Sequence, residues 1–256
     1  MIERTHAAST LLRLPRTIRA CLFDLDGVLT DTATVHAEAW KEMFDAFLRA
    51  RAPEGSPFTP FDPVRDYDEY IDGKQRFDGV RSFLDSRAVE LPEGRHDDPP
   101  GADTIGGIGN RKNELVLAMI HRRGVKAYDG SVRFVHAARE AGLRRAVVSA
   151  SANCQEVLEV AGIADLFEAR VDGVVAEREH LRGKPAPDMF LAAARIIDVQ
   201  PSEAAVFEDA LAGVAAGRSG RFGLVVGVDR VGQADALRDH GADVVVSDLG
   251  ELLAPA

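Results

Sequence analysis

The chain has 256 residues, 46% hydrophobic and 28% charged, with a formal net charge of −10 from 31 Lys+Arg and 41 Asp+Glu. That balance is globular and long enough to bury a core unaided. The two cysteines, Cys21 and Cys154, are too few and too far apart for a disulfide framework. The acidity excludes non-specific nucleic-acid binding, which needs a basic surface, but leaves room for a locally positive pocket that takes a small anion.

In chain order, residues 1–17 read as an N-terminal tail. They carry several arginines and the patch Leu11-Leu12-x-Leu14, but not the roughly 7–15-residue apolar core of a secretory signal. A loose tail is the expectation, and an Arg-rich organellar address is the alternative. No apolar run approaches the roughly 18 residues of a membrane span. The expected setting is therefore cytoplasmic, as a monomer, with neither membrane nor nucleic acid as a partner.

The first strand pattern covers 18–23 and stops at Asp24-Leu25-Asp26-Gly27. The rhythm then changes. Helical patterns at 35–50, 78–88 and 110–123 are separated by Pro-, Gly- and Asp-rich loops at 52–63 and 91–107, with no convincing strand. This predicts an all-helical cap domain, residues 34–124, inserted after the first strand and joined to the rest near 31–34 and 125–130. Beyond it, helices at 132–141, 154–161, 187–198 and 210–218 alternate with apolar runs at 145–148, 204–207, 223–227 and 243–246, and a weaker one at 169–171. Short apolar runs bounded by turn residues read as buried parallel strands. Their alternation with helices predicts an α/β fold: a doubly wound, Rossmann-like parallel sheet built from 18–33 and 125–256.

Three strand ends carry polar clusters: Asp24 with Asp26, Ser149 with Ser151, and Glu208 with Asp209. In an open parallel sheet, ligands bind beyond the carboxyl ends of the strands at the switch point, so the clusters are expected to converge. Asp24 and Asp26 repel one another unless a proton or cation intervenes, and a hard divalent ion such as Mg²⁺ would relieve them. Each motif also has a plainer reading. Asp24-x-Asp26-Gly27 suits a strand-ending turn, the serines suit helix N-caps, and Glu208-Asp209 suits the first turn of a helix. Lys184, before Pro185, suits a solvated loop.

The segment Cys21-Leu22-Phe23-Asp24-Leu25-Asp26-Gly27-Val28-Leu29-Thr30-Asp31-Thr32 resembles the first motif of the haloacid dehalogenase superfamily, in its β-phosphoglucomutase-like branch. Three further motifs follow in order. They are Ser149, then Lys184 in Gly183-Lys184-Pro185-Ala186-Pro187-Asp188, then Glu208-Asp209 in Phe207-Glu208-Asp209-Ala210-Leu211-Ala212-Gly213-Val214. The likeness spans roughly 19–252 and is looser in the cap.

The resemblance implies phosphoryl transfer through a phospho-aspartate on Asp24, with Asp26 as general acid/base. It implies Mg²⁺ held by Asp24, the backbone carbonyl of Asp26, Glu208 and Asp209. Ser149, with neighbouring backbone amides including that of Ala150, and Lys184 would bind the transferring group. At the hinge, Thr32 matches a residue that engages the general acid/base. His36 and Trp40 share a face of the first helix. Arg76, in Gly73-Lys74-Gln75-Arg76-Phe77-Asp78, resembles an arginine that grips the distal phosphate. Lys112, in Asn110-Arg111-Lys112-Asn113, resembles a lysine that reaches the substrate, and Ser151 and Asn153 resemble residues that meet the second phosphate. The plainer readings are cap core for His36 and Trp40 and solvated charge for Arg76 and Lys112.

The implied reaction interconverts β-glucose 1-phosphate and glucose 6-phosphate through a sugar bisphosphate. One alternative is a phosphatase for a small sugar or polyol phosphate, and another is a non-catalytic regulator that binds sugar phosphate. The sequence departs from the pattern at Ala152, where some members carry a basic residue, and the 91–100 loop is longer than a minimal cap needs.

Overall fold

The structure, a computed structural model, describes residues 11–53, 55 and 57–254. Residues 1–10 of the expected tail lie outside the described residues, as do 54 and 56 in the 52–63 loop and 255–256 at the end of the α/β domain. The chain forms two compact units, one drawn from Met1–Asp31 and Val125–Ala256, the other Thr32–Gly124.

In chain order, β1 (Ala20–Phe23) precedes the helical unit of α1 (Ala33–Arg51), α2 (Arg65–Tyr70), α3 (Arg76–Ser86) and α4 (Ile105–Arg123). There follow α5 (Asp129–Glu140), β2 (Arg144–Val148), α6 (Cys154–Val160), β3 (Ala169–Val171), α7 (Gly173–Arg178) and α8 (Asp188–Ile196). The chain closes with β4 (Ala204–Glu208), α9 (Leu211–Ser219), β5 (Leu224–Val228), α10 (Ala234–Asp239) and β6 (Val244–Val246).

The six strands form one sheet in the order β3-β2-β1-β4-β5-β6, and every pairing is parallel. β1 sits between β2 and β4, where the winding reverses, and this creates the crevice that doubly wound sheets use for ligands. Every residue of β1, β4 and β5 is buried, which explains their near-continuous apolar sequence. On one face Phe23 stacks on Phe207 at 4.8 Å and meets Phe134 of α5 edge-on at 6.1 Å. On the other, Leu22 and Val206 join a cluster with Met189 and Phe190 of α8.

All six expected strands form, with ends shifted by no more than a residue or two. The loose-tail expectation needs correction at residues 11–13. Leu12 is buried and bridges Leu253, while Arg13 N–H donates to the Leu252 carbonyl at 2.8 Å. An apolar side chain with a buried site and backbone partners has no reason to remain loose. Both cysteines are free and buried. No helix among the described residues is long and apolar enough to cross a membrane.

In the helical unit, α1 buries Ala39, Trp40, Met43, Phe44 and Phe47 along one stripe. These pack with Phe61 and Phe83; the Phe44 and Phe83 rings lie 4.1 Å apart. No strand occurs here among the described residues. Helix α4 starts at Ile105, earlier than the expected 110, because the 91–104 loop docks on its first turn. A Cβ on Gly106 would sit 2.0 Å from the Arg95 carbonyl oxygen, and one on Gly107 2.3 Å from that of Ala102. Glycines that read as helix breakers are there for close backbone approach. Asn110 Nδ2 holds the loop by donating to the His96 and Asp98 carbonyls, both at 2.8 Å. Helices α2, α7 and α10, six residues each, were not foreseen, being too short to show a helical period.

Candidate active site

The site of the α/β unit is assembled from strand ends. Asp24 follows β1 directly, its N–H extending the ladder to the Phe207 carbonyl at 2.9 Å. Ser149 follows β2 and extends the ladder to Val171 at 3.0 Å, while Glu208 is the last residue of β4. Neighbouring strands in register therefore bring residues over 180 apart in sequence to one edge.

Lys184 joins them from the loop before α8. Its Nζ donates to Asp24 Oδ1 and lies 3.2 and 3.3 Å from the two Glu208 oxygens. Asp24 is 6% exposed, Lys184 4% and Glu208 0%. The reading of Lys184 as a solvated loop residue is thereby excluded. Burial opposes the ammonium most strongly, but Asp24 and then Glu208 outweigh it and hold Lys184 above its ordinary value. Burial likewise pushes the Asp24 carboxyl up, against the pull of Lys184, with Asp26 adding to the rise.

Carboxylate oxygens of Asp24, Glu208 and Asp209 lie within 4.8 Å of one another. That approaches the roughly 3–4.2 Å between oxygens of an octahedron with bonds of about 2.1 Å. Three clustered carboxylates and one ammonium, the latter bound to Asp24 and Glu208, leave negative charge to balance, and an all-oxygen donor set suits a hard divalent cation. Two glycines make the approach possible. Gly27 has φ +86°, and a Cβ there would fall 1.7 Å from Asp209 Oδ2. A Cβ on Gly213 of α9 would fall 1.7 Å from Glu208 Oε1. Gly27 was legible as a turn; the need for Gly213 appears only once α9 is packed behind Glu208.

The loop after β2 is a nested turn. Ser149 Oγ accepts from Ser151 N–H at 3.1 Å, and Ser151 Oγ accepts from Asn153 N–H at 3.2 Å. Ser149 is buried, while Ala150, Ser151 and Asn153 are half-buried. The serines thus shape the loop, and the plainer reading of them as helix N-caps is not met: Asn153 is the N-cap of α6, and no side chain caps that helix. Asp172 and Gly173, missed in the sequence, brace this loop. Gly173 N–H donates to the Ser151 carbonyl at 3.1 Å, and buried Asp172 caps α7 through Val175 N–H at 3.0 Å. A Cβ on Gly173 would lie 2.9 Å from the Ala150 carbonyl oxygen.

In the helical unit, Thr32 is buried and its carbonyl accepts from His36 N–H at 2.9 Å. Lys112 Nζ is 3.0 Å from His36 Nδ1 and 4.8 Å from the centre of the Trp40 ring. An ammonium can only donate, so Nδ1 accepts and the neutral imidazole carries its proton on Nε2. Lys112 is 5% exposed and Trp40 3%; Lys112 is therefore no solvated surface charge. Trp40 stacks on Phe44 within the core of the helical unit. Arg76 opens α3, half-buried, with its guanidinium 4.9 Å from the Phe77 ring.

Burial, then the Lys112 charge, hold the His36 pKa well below its ordinary 6.5. The unfolded chain binds a proton that the folded chain refuses, so stability is complete above about pH 6.5 and falls as pH drops below it, by up to about 1.4 kcal/mol per unit. Urea unfolding between about pH 7.5 and 5 should show a shallower pH slope for His36→Asn than for the native chain. Equal slopes would refute the assignment.

A haloacid dehalogenase-like hydrolase family description matches residues 18–221. A β-phosphoglucomutase of Mycobacterium tuberculosis is 57% identical over 249 residues, covering 96% of this chain and 95% of its own. One from Bacillus subtilis is 30% identical over 236 residues, 92% of each chain. The crystal structure of β-phosphoglucomutase from Clostridium difficile has the same fold, with a TM-score of 0.73 at 25% identity over 92% of this chain and 93% of that one.

Proposed function

This chain belongs to the haloacid dehalogenase-like hydrolases, in their β-phosphoglucomutase branch, and on that premise we propose that it interconverts β-glucose 1-phosphate and glucose 6-phosphate. The observation that carries the chemistry is Lys184 wedged between Asp24 and Glu208, with Asp209 closing the carboxylate cluster. A buried carboxylate with its own fixed cation is placed to accept phosphorus, and phosphoryl transfer needs chiefly such positioning and charge stabilisation.

In the working cycle, phospho-Asp24 gives its phosphoryl group to the 6-hydroxyl of β-glucose 1-phosphate. Asp26 takes the hydroxyl proton as the new P–O bond forms and the acyl phosphate bond breaks. The resulting 1,6-bisphosphate turns around. Asp24 then attacks the 1-phosphate, Asp26 returns the proton to the departing C1 oxygen, and glucose 6-phosphate leaves with Asp24 phosphorylated again. The amides around Ser149 and Ala150, together with Lys184, hold the transferring group.

Asp24, the Asp26 carbonyl, Glu208 and Asp209 would hold Mg²⁺, which neutralises phosphoryl oxygens when bound. To the nontransferring phosphate we assign Arg76, Ser151 and Asn153, and to the sugar Thr32, His36 and Lys112. Trp40 supports Lys112 rather than binding sugar itself. A cytoplasmic setting accords with the two free thiols.

The mutase reading is favoured over a phosphatase by the 57% identity to a β-phosphoglucomutase along nearly the whole of both chains. Phosphorus NMR of β-glucose 1-phosphate with Mg²⁺ and a trace of 1,6-bisphosphate should show glucose 6-phosphate growing in. Inorganic phosphate appearing without it would make the protein a phosphatase.

A further inference from the structure

The loop between β5 and α10 reaches back across the sheet to both halves of the carboxylate cluster. Arg230 Nε donates to the Gly27 carbonyl at 2.8 Å, and Gln233 Nε2 donates to the Asp209 carbonyl at 3.1 Å. Gly27 is the residue whose Cα rests against the Asp209 carboxylate, and it directly follows Asp26. The two side chains therefore hold, by the backbone, the two segments that must stay at contact distance.

The loop is itself stiff. Asp229 Oδ1 accepts from the N–H groups of Val231, Gly232 and Gln233 at 3.3, 2.7 and 2.8 Å. Arg230 is fixed further by the Tyr128 ring 3.7 Å below its guanidinium and by Nη1 donating to the Ser247 carbonyl at 2.8 Å. A side chain immobilised on several sides holds its remaining bond with little further loss of conformational entropy.

We infer that Arg230 and Gln233 are positioning residues for the metal, setting the distance between the Asp26–Gly27 turn and Asp209 so that one divalent cation can be shared. Both act on the backbone, through the Gly27 and Asp209 carbonyls. Losing an outer group that orients metal ligands typically costs about 10–100-fold in metal affinity. The inference rests on the metal assignment proposed above.

The test uses Mn²⁺ alone, its free EPR signal titrated against the purified chain, beside thermal unfolding of the same samples. Arg230→Met and Gln233→Leu should each weaken Mn²⁺ binding by about tenfold, with Arg230→Lys within about threefold of the native chain. Rescue by lysine separates positioning from simple space filling, since Lys can still donate to the Gly27 carbonyl. Should Arg230→Met fail to fold, Gln233→Leu decides the matter: a weakening of about threefold or more supports the inference and less overturns it. Lower melting temperatures with unchanged Mn²⁺ affinity in both variants would make these residues merely structural and overturn it alone. A native chain that binds no Mn²⁺ overturns it together with the metal assignment.

Discussion

Replacing Asp24 by Asn should lower turnover of β-glucose 1-phosphate by at least about 10⁴-fold, because a carboxamide has no nucleophilic oxygen of comparable strength and cannot form the acyl phosphate. The folded state should survive. Asp24 sits in a cluster of carboxylates, and the neutral side chain relieves repulsion from Asp26 even as it weakens the bond to Lys184. Melting temperature therefore separates lost chemistry from lost structure. Intact-mass measurement after incubation with glucose 1,6-bisphosphate should show a phospho-adduct on the native chain and none on the variant. An Asp24→Asn protein that retained turnover, or still took up phosphate at this site, would remove Asp24 from the reaction.

The second large effect is expected at Lys184, and here stability and activity should fall together. Lys184→Ala leaves Asp24 and fully buried Glu208 without their shared cation. Removing one partner of a buried ion pair typically costs about 3–5 kcal/mol, most of it the cost of an uncompensated buried charge. Saturating Mg²⁺ should recover part of the loss, because the ion, held as proposed, would supply positive charge to the same carboxylates. Turnover should drop by about 10²–10³-fold even where the variant is folded, the usual loss when a preorganised electrostatic partner of the transferring group is removed. Lys184→Arg should not rescue it, since a planar fork cannot occupy a cavity shaped for a point charge among three acceptors. The measurements are urea unfolding with and without Mg²⁺, and initial rates. A stability loss below about 1 kcal/mol would place Lys184 in solvent-like surroundings and contradict its burial.

Different physical effects divide the residues that were legible in the sequence from those that were not. Asp24, Ser149 and Glu208 stood out because each interrupts an apolar run, and an apolar run that ends on a polar residue marks a strand end whatever lies beside it. Lys184 was suggested only through its motif. By composition it belonged to a Pro-rich loop, and its burial depends on where that loop lands. His36 and Lys112 lie 76 positions apart, and their contact has no local signature. Arg230 and Gly27 are separated by 203 positions. A positioning residue that acts through a backbone carbonyl leaves no trace in the residue it holds, because every residue has a carbonyl.

The 91–104 loop shows the same division. Its Pro, Gly and Asp content predicted irregular chain, and irregular it is. What composition could not convey is that Asn110 and the glycines of α4 hold it against the helix. Local propensity treats Gly106 and Gly107 as helix breakers, whereas close backbone approach makes them necessary within the helix.

By itself the sequence determined the fold class, the interruption of the sheet by a helical insertion and the order of the four motifs. These follow from short-range periodicity and from residue types at strand ends. Only the tertiary structure decided which charges are buried together, which glycines allow Asp209 and Glu208 to close on Asp24, and which distant side chains hold them there. The reason is that burial and contact depend on what the rest of the chain brings alongside a residue, and periodicity carries no information about that neighbour.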